Sequence, residues 1–157
     1  MLTNKILIFL SMVLLMTASS SCAQINKTIP SVTQGITGYV YFVSGNQMPS
    51  PGKKPSPPKG IKTTVYICQL TNISQVTRQG QSAFYSSIKT KIIKETESDS
   101  TGYFSVQLEP GMYSLFTKTS GVFYANSFDG NNNIAPAKVI PQKITEMKIS
   151  IDYNSTN

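Results

Sequence analysis

A pattern of short runs, in which apolar and polar residues alternate, constrains the fold of this chain more than any other feature of its sequence. Alternation with a period of two, together with β-branched and aromatic residues, is typical of strands that bury one face. The runs cover residues 36–43, 63–70, 88–94, 103–108, 112–118, 122–127 and 147–153. Turn-forming residues separate them, so we predict an all-β domain over residues 35–153, built as an antiparallel sandwich or barrel.

A reversal of the chain is expected between the runs at 103–108 and 112–118. Pro110 presets φ for a turn, and Gly111 can adopt a positive φ. We therefore predict a β-hairpin closed by these two residues. A second turn is predicted at residues 99–102, just before the first strand of that hairpin.

Four short motifs place glycine, proline and aromatic residues at the spacing of strands and turns. They are Gly38-x-Val40, Val65-x-Ile67, Asp99-x-x-Gly102-x-Phe104 and Leu108-x-Pro110-Gly111-x-Tyr113-x-Leu115. This set resembles the carboxypeptidase regulatory-like domain family over about residues 35–153. The resemblance implies a seven-stranded Greek-key β-sandwich of the prealbumin type in an exported protein. It also implies a binding or spacing module rather than an enzyme.

The first residues of the chain have the layout of an export signal. Lys5 precedes an apolar run at residues 6–16, and small residues follow at 17–21. The run is well below the roughly 20 residues that a helix needs to cross a bilayer. We therefore predict export to a bacterial cell envelope rather than a permanent membrane span.

Two cleavage positions fit this signal. Residues 19–22 resemble a lipoprotein box, which would remove residues 1–21 and attach lipid to Cys22. Ordinary signal peptidase would instead remove residues 1–23 and release a soluble periplasmic or secreted protein. We prefer the first, because Cys22 otherwise has no evident use. The product would be an outer-membrane or periplasmic lipoprotein, bound to the membrane by its acyl chains.

The remaining segments are short connections. After cleavage before Cys22, residues 22–34 form a tether to the sandwich, and residues 154–157 form a tail. Residues 44–60 are an insert in the sandwich that contains five of the nine prolines of the chain, and we expect it to be extended and solvated. Residues 71–87 form a second long connection.

Positive charge is concentrated in the first part of the mature chain. Residues 24–94 contain nine Lys or Arg and no acid, whereas residues 95–157 contain four Lys and seven Asp or Glu. Such a surface can contact anionic lipid headgroups or an acidic polymer; alternatively, it is a set of solvated lysines. The candidate contact residues are Lys53, Lys54, Lys59, Lys62 and Arg78. Export excludes nucleic acid as a partner.

A second candidate site lies near the predicted turn after residue 122. Aromatic, amide and carboxylate side chains are mixed there, and such a mixture can stack on a sugar ring and bind its hydroxyls. The candidate ligand residues are Phe123, Tyr124, Asn126 and Asp129. The alternative is that the aromatic residues of this strand belong to the core.

The absence of histidine excludes several kinds of active site. Without imidazole there is no Ser-His or Cys-His pair and no His-ligated metal. Transthyretin-like hydroxyisourate hydrolases, which use a similar sandwich, need histidines. We therefore expect no catalytic residue and no cofactor.

Two further motifs also favour structural roles. Residues 129–133 match the first part of a calcium loop, but Ile134 and Ile140 occupy the places of its turn glycine and bidentate glutamate. We predict a plain turn there and no metal site. Cys68 lies in an apolar strand, where a lone thiol is typically a buried core residue.

The sequence thus predicts a non-enzymatic interaction module at the cell envelope. Its partners would be the membrane, through lipidated Cys22, and an envelope protein or polysaccharide that is bound by loops. A carbohydrate-binding module is the alternative, and a small transthyretin-like hydrolase is a third interpretation.

Overall fold

The chain folds into two β-sheets that pack face to face. The computed structural model describes residues 32–43 and 58–152, which belong to the unit Ser31–Asn157. The strands are β1 (Gly35–Phe42), β2 (Lys59–Gly60), β3 (Thr64–Gln69), β4 (Val76–Arg78), β5 (Phe84–Ile88), β6 (Ile92–Glu97), β7 (Tyr103–Gln107), β8 (Gly111–Thr119), β9 (Val122–Tyr124), β10 (Pro136–Val139) and β11 (Ile144–Ile151). The predicted all-β sandwich is confirmed. The described residues contain no helix with the length and apolarity to cross a membrane.

The small sheet is built around β1. The last strand, β11, runs parallel to β1 along its whole length, from Gly35 opposite Ile144 to Phe42 opposite Ile151. On the other side of β1, β7 pairs antiparallel with its first part and β2 with its last two residues. The first and last strands of the domain therefore lie side by side. The large sheet has the order β4-β5-β9-β8-β3-β6, and β10 also pairs with β8.

Two apolar clusters hold this arrangement together. The main cluster lies between the sheets and includes Ile36, Val40, Phe104 and Ile149 of the small sheet with Val65, Ile67, Leu115 and Tyr124 of the large sheet. The second cluster lies on the other face of the large sheet and contains Cys68, Tyr85, Phe116, Ala125, Ile134 and Ala135. Cys68 is buried and free, as predicted. The large sheet is therefore covered on both faces, whereas the outer face of the small sheet has no covering layer in the part of the chain that the structure describes.

The predicted hairpin between β7 and β8 is wrong. These strands lie in different sheets, so the connection through Pro110 crosses the sandwich. Gly111 does not have a positive φ, whereas Gly102, in the confirmed turn before β7, has a φ of 86°. A hairpin and a crossing connection both reverse the chain, and the alternation of each strand fits both. Phe104 and Leu115 face the same core from opposite sides.

The described residues form eleven strand segments, where the family resemblance implied seven. The predicted strand at 88–94 spans the turn between β5 and β6, and the connection predicted at 71–87 contains β4, β5 and a 3-10 turn at Ile73–Gln75. Residues 59–60 of the insert form β2. Residues 44–57 of the insert, the tail, the tether up to residue 31 and the signal segment lie outside the described residues.

Side-chain hydrogen bonds to backbone carbonyls link the two sheets at their edges. Thr96 of β6 donates to the Ser105 carbonyl of β7 at 3.4 Å, and Lys94 Nζ donates to the Gln107 carbonyl at 3.2 Å. At another edge, Thr145 Oγ1 of β11 donates to the Lys138 carbonyl of β10 at 2.5 Å. These bonds satisfy carbonyls on edge strands, which could otherwise pair with a strand of another protein chain.

Candidate functional site

A groove of about 670 Å³ lies on the outer face of the small sheet. The side chains that line it on this face include Tyr39, Tyr41, Tyr103, Ile144, Glu146 and Lys148. We call it the tyrosine groove. It is formed by the outward-facing residues of the central strand β1 and of β7 and β11, which flank it on opposite sides.

Strand alternation and register bring these side chains together. In β1, Ile36 and Val40 are buried in the core, so Tyr39 and Tyr41 point to the opposite face. Tyr39 pairs with Tyr103 of β7 on one side and with Lys148 of β11 on the other. The parallel pairing of β1 and β11 thus brings residues from the two ends of the domain into one row.

Contacts between the rings hold the tyrosines in place. The Tyr39 and Tyr41 rings stack with centroids 5.8 Å apart, and the Tyr39 and Tyr103 rings are tilted by 60° at 5.4 Å. Lys148 Nζ lies 5.2 Å from the centre of the Tyr41 ring, within the range of a cation–π contact. Tyr39 nevertheless remains 43% exposed and Tyr103 40% exposed. The groove therefore presents aromatic surface that is already ordered.

The groove also contains a negatively charged and a positively charged side chain. Glu146 lies on β11 opposite Thr37, two residues before Lys148 and on the same face. Among the described residues the side-chain carboxylate of Glu146 has neither a hydrogen bond nor an ion pair. Its carboxylate can only accept hydrogen bonds, the lysine ammonium can only donate them, and the phenols can do both. This set suits the binding of a polar, uncharged molecule.

The candidate basic residues are not gathered into one site by the described structure. Lys53 and Lys54 lie outside the described residues. Lys59 is exposed in β2, and Lys62 Nζ lies 3.5 Å from Glu97, an acid of the second half of the chain. Arg78 donates to the carbonyls of Ser82 and Gln81 at 2.5 and 2.7 Å, so its guanidinium holds the connection between β4 and β5.

The candidate ligand residues Phe123 and Tyr124 are held by the protein itself. Tyr124 is 1% exposed, and its hydroxyl accepts a hydrogen bond from the Asp152 amide at 3.1 Å. The Tyr124 ring therefore belongs to the core, which is the alternative that the sequence offered for this strand. Phe123 packs edge-on against Tyr66 at 5.2 Å, and Lys118 Nζ lies 5.0 Å from the centre of its ring. Of the four candidates, Asn126 is the one that is exposed.

Asp129 organises the loop that follows β9. Its carboxylate accepts hydrogen bonds from the Asn133 amide at 2.9 Å, the Asn133 side chain at 2.8 Å and the Asn131 amide at 2.8 Å. These bonds, led by the one from the Asn133 side chain, hold the pKa of Asp129 below its usual value. Asn72 Nδ2 donates to the Asn131 carbonyl at 2.8 Å and ties the loop to the segment after β3. Asp129 therefore acts as a loop cap, and the loop covers the second apolar cluster.

Comparisons of the chain with protein families, with characterised proteins and with solved structures give no match. Cys22, the predicted lipid attachment residue, lies outside the described residues.

The tyrosine groove was not predicted from the sequence. Its signal was present, because Tyr39 and Tyr41 alternate with the apolar Val40, and Tyr103 alternates with Phe104. The missing information was the strand order that places β1 between β7 and β11.

Proposed function

We propose that this protein is a non-enzymatic binding module of the bacterial cell envelope, which captures its ligand in the tyrosine groove. The observation that carries this proposal is the pair of half-exposed rings, Tyr39 and Tyr103, held 5.4 Å apart on rigid strands. Exposed aromatic residues that are already ordered lose little conformational entropy on binding. A site on the strands of a sheet is also more precise than one on loops.

The chemistry of the described residues supports binding rather than catalysis. The chain has no histidine. Among the residues that the structure describes, Cys68 provides the one thiol that could act as a nucleophile. Burial, with a smaller contribution from the charge of Glu95, raises the pKa of Cys68 to about 11. This thiol therefore stays protonated near neutral pH, and it is far less reactive than a thiolate.

Export and lipidation of Cys22 form part of the same proposal. The tether would join the sandwich at Gln34, whose Nε2 donates to the Leu108 carbonyl at 2.9 Å and whose Oε1 accepts from the Gln142 amide at 2.9 Å.

We also propose that the domain belongs to the carboxypeptidase regulatory-like family. The turn at Asp99, in which the carboxylate accepts from the Thr101 and Tyr103 amides at 2.8 and 3.0 Å, supports it.

Intact mass of the mature protein from a membrane fraction tests the anchor. We expect a chain that begins at Cys22 and carries the mass of its acyl groups. A chain that begins at unmodified Gln24 would overturn the anchor. It would leave the binding function of the sandwich to be tested separately.

Chemical-shift mapping tests the groove. The mature domain is titrated with separated envelope fractions, namely glycan, lipid and protein, and the amide resonances of β1, β7 and β11 are followed. We expect one fraction to shift these resonances and the Tyr103→Ala variant to lose the effect. Phe128→Ala is the matched control, because Phe128 is 44% exposed but lies on the loop after β9. If no fraction affects the groove, the proposed function is wrong.

A further inference from the structure

Resting on the proposed function, we infer that the ligand of the tyrosine groove is a neutral oligosaccharide. A pyranose ring has an apolar face of C–H groups and a rim of hydroxyls. The groove has the matching division, with aromatic rings from β1 and β7 on one side and the polar side chains of β11 on the other.

The aromatic side offers ring surface in two orientations. Tyr39 and Tyr103 differ by 60° in plane and each leaves about two fifths of its surface to solvent. A sugar stacked on either ring buries apolar C–H surface against it, and the phenol hydroxyls remain at the edge as donors and acceptors. The contact between the two rings fixes this surface before the ligand arrives.

The polar side suits hydroxyl groups better than charged groups. Glu146 and Lys148 point outward from the same strand, so their attachment points are about 7 Å apart. Each hydroxyl of a sugar can both donate and accept, so one sugar segment can donate to the carboxylate and accept from the ammonium. A polyanion would be repelled by Glu146 and a polycation by Lys148. The balance of charge therefore favours a neutral ligand.

The size of the groove separates a glycan from a folded protein partner. From Thr37 to Tyr41 the groove follows β1 for about 13 Å, which is the length of a short oligosaccharide. Its volume of about 670 Å³ lies in the range of small-ligand sites, roughly 300–1,000 Å³. The nine residues that line the groove are fewer than the roughly 20–30 residues that each partner typically contributes to a specific protein–protein interface.

Titration with defined oligosaccharides tests this inference. The probes are linear neutral tetrasaccharides of glucose, of mannose and of N-acetylglucosamine, an oligogalacturonate as the acidic probe and a proline-rich peptide as the protein-like probe. We expect at least one neutral tetrasaccharide to bind saturably and to shift the resonances of β1, β7 and β11. Tyr39→Ala and Tyr103→Ala should each weaken that binding about tenfold. Phe128→Ala should leave it unchanged.

Two conservative variants keep the test independent of folding. Tyr103→Phe retains the aromatic face and should keep most of the affinity. Glu146→Gln should weaken binding while the amide resonances of the free protein change only close to the substitution. Binding only to the acidic probe or only to the peptide would overturn the glycan assignment. Neutral binding that the Tyr39 and Tyr103 variants do not change would overturn it as well. If no neutral probe binds but the protein or lipid fraction still shifts the groove, the glycan assignment fails while the binding function stands.

Discussion

The rings of Tyr39 and Tyr103 lie 5.4 Å apart across the antiparallel pairing of β1 and β7. The same backbone pairing continues beneath them, where the Val40 amide donates to the Gly102 carbonyl at 2.8 Å. The aromatic contact is thus fixed by strand register and by the turn before β7. A ligand that uses both rings is bound by two segments distant in the chain, which only the folded sheet brings together.

The contact between these tyrosines should be measurable in the free protein. We expect Tyr39→Ala and Tyr103→Ala to show a coupling of about 0.5–1 kcal/mol in a double-mutant cycle, because cross-strand aromatic pairs stabilise sheets by this amount. Urea denaturation of the four proteins gives the value. Tyr39→Ala combined with Phe128→Ala is the control, and these two changes should add. If the changes in the free energy of unfolding were additive for Tyr39 with Tyr103 as well as for the control pair, an ordered aromatic contact would be contradicted.

The hydroxyl of Thr117 is an unsatisfied polar group in the core. Thr117 is 1% exposed, and its Oγ1 has no hydrogen-bond partner among the described residues. We expect Thr117→Val to increase the free energy of unfolding by about 1 kcal/mol, because a methyl group replaces a buried hydroxyl that has lost its water. Chemical denaturation measures this change.

Thr71→Val is the matched control for that substitution. Thr71 is equally buried, but its Oγ1 donates to the Gln69 carbonyl at 2.7 Å and lies 2.6 Å from Thr90 Oγ1. We expect its replacement to lower the free energy of unfolding by about 1–2 kcal/mol. A loss of stability in both variants would show that the Thr117 hydroxyl has a partner in solution.

The sequence was sufficient for the fold class and for local turns. Alternation alone identified β1, β3, β7 and β8, because the side chains of each strand point alternately into the core between the sheets and to the opposite face of their own sheet. The turn at residues 99–102 followed from side-chain chemistry, since Asp99 binds amides within its own loop. These features depend on neighbours in the chain, which is why they could be predicted.

The sheet order and the candidate site depend on neighbours that are distant in the chain. Tyr124 has the sequence character of an exposed ligand residue beside polar groups, yet the Asp152 amide and the core enclose it. Tyr39 is also a tyrosine in a strand but lies at the surface, because no described residue covers the outer face of the small sheet. Period-two alternation assigns both residues to a face but cannot say which face is covered.

The two-residue connection between β8 and β9 should be sensitive to glycine replacement. Ser120 and Gly121 have φ values of 46° and 87°, as hairpin turns of the I′ type require. An added Cβ at Gly121 would meet no atom within 4 Å, so only its backbone conformation opposes a side chain. We expect Gly121→Ala to lower the free energy of unfolding by about 1 kcal/mol.

Gly130→Ala is the control for Gly121→Ala. Its Cβ would also meet no atom within 4 Å, but its φ lies outside the left-handed region. This variant should change stability little, or increase it slightly by restricting the unfolded chain. Thermal denaturation of the two variants side by side gives the comparison. A similar loss in both would mean that something other than φ limits these positions.

The cap at Asp129 should make stability fall at acid pH. Hydrogen bonds from Asn133 and Asn131 lower the pKa of Asp129 in the folded state, so between the folded and unfolded pKa values the unfolded chain binds more protons. Its contribution is therefore complete above the unfolded pKa, near 4, and is lost as pH falls through the lower folded value. Asp129→Asn removes this titration.

Melting temperatures between pH 7 and pH 2 measure the effect. We expect the difference between the wild type and Asp129→Asn to be largest near pH 7 and to shrink progressively below about pH 4. Asp99 provides a second test in a separate loop, because a hydrogen bond from the Thr101 side chain lowers its pKa in the same direction. A pH-independent difference for Asp129→Asn would mean that the loop is held by the amide contacts of Asn72 and Ile73 rather than by the carboxylate.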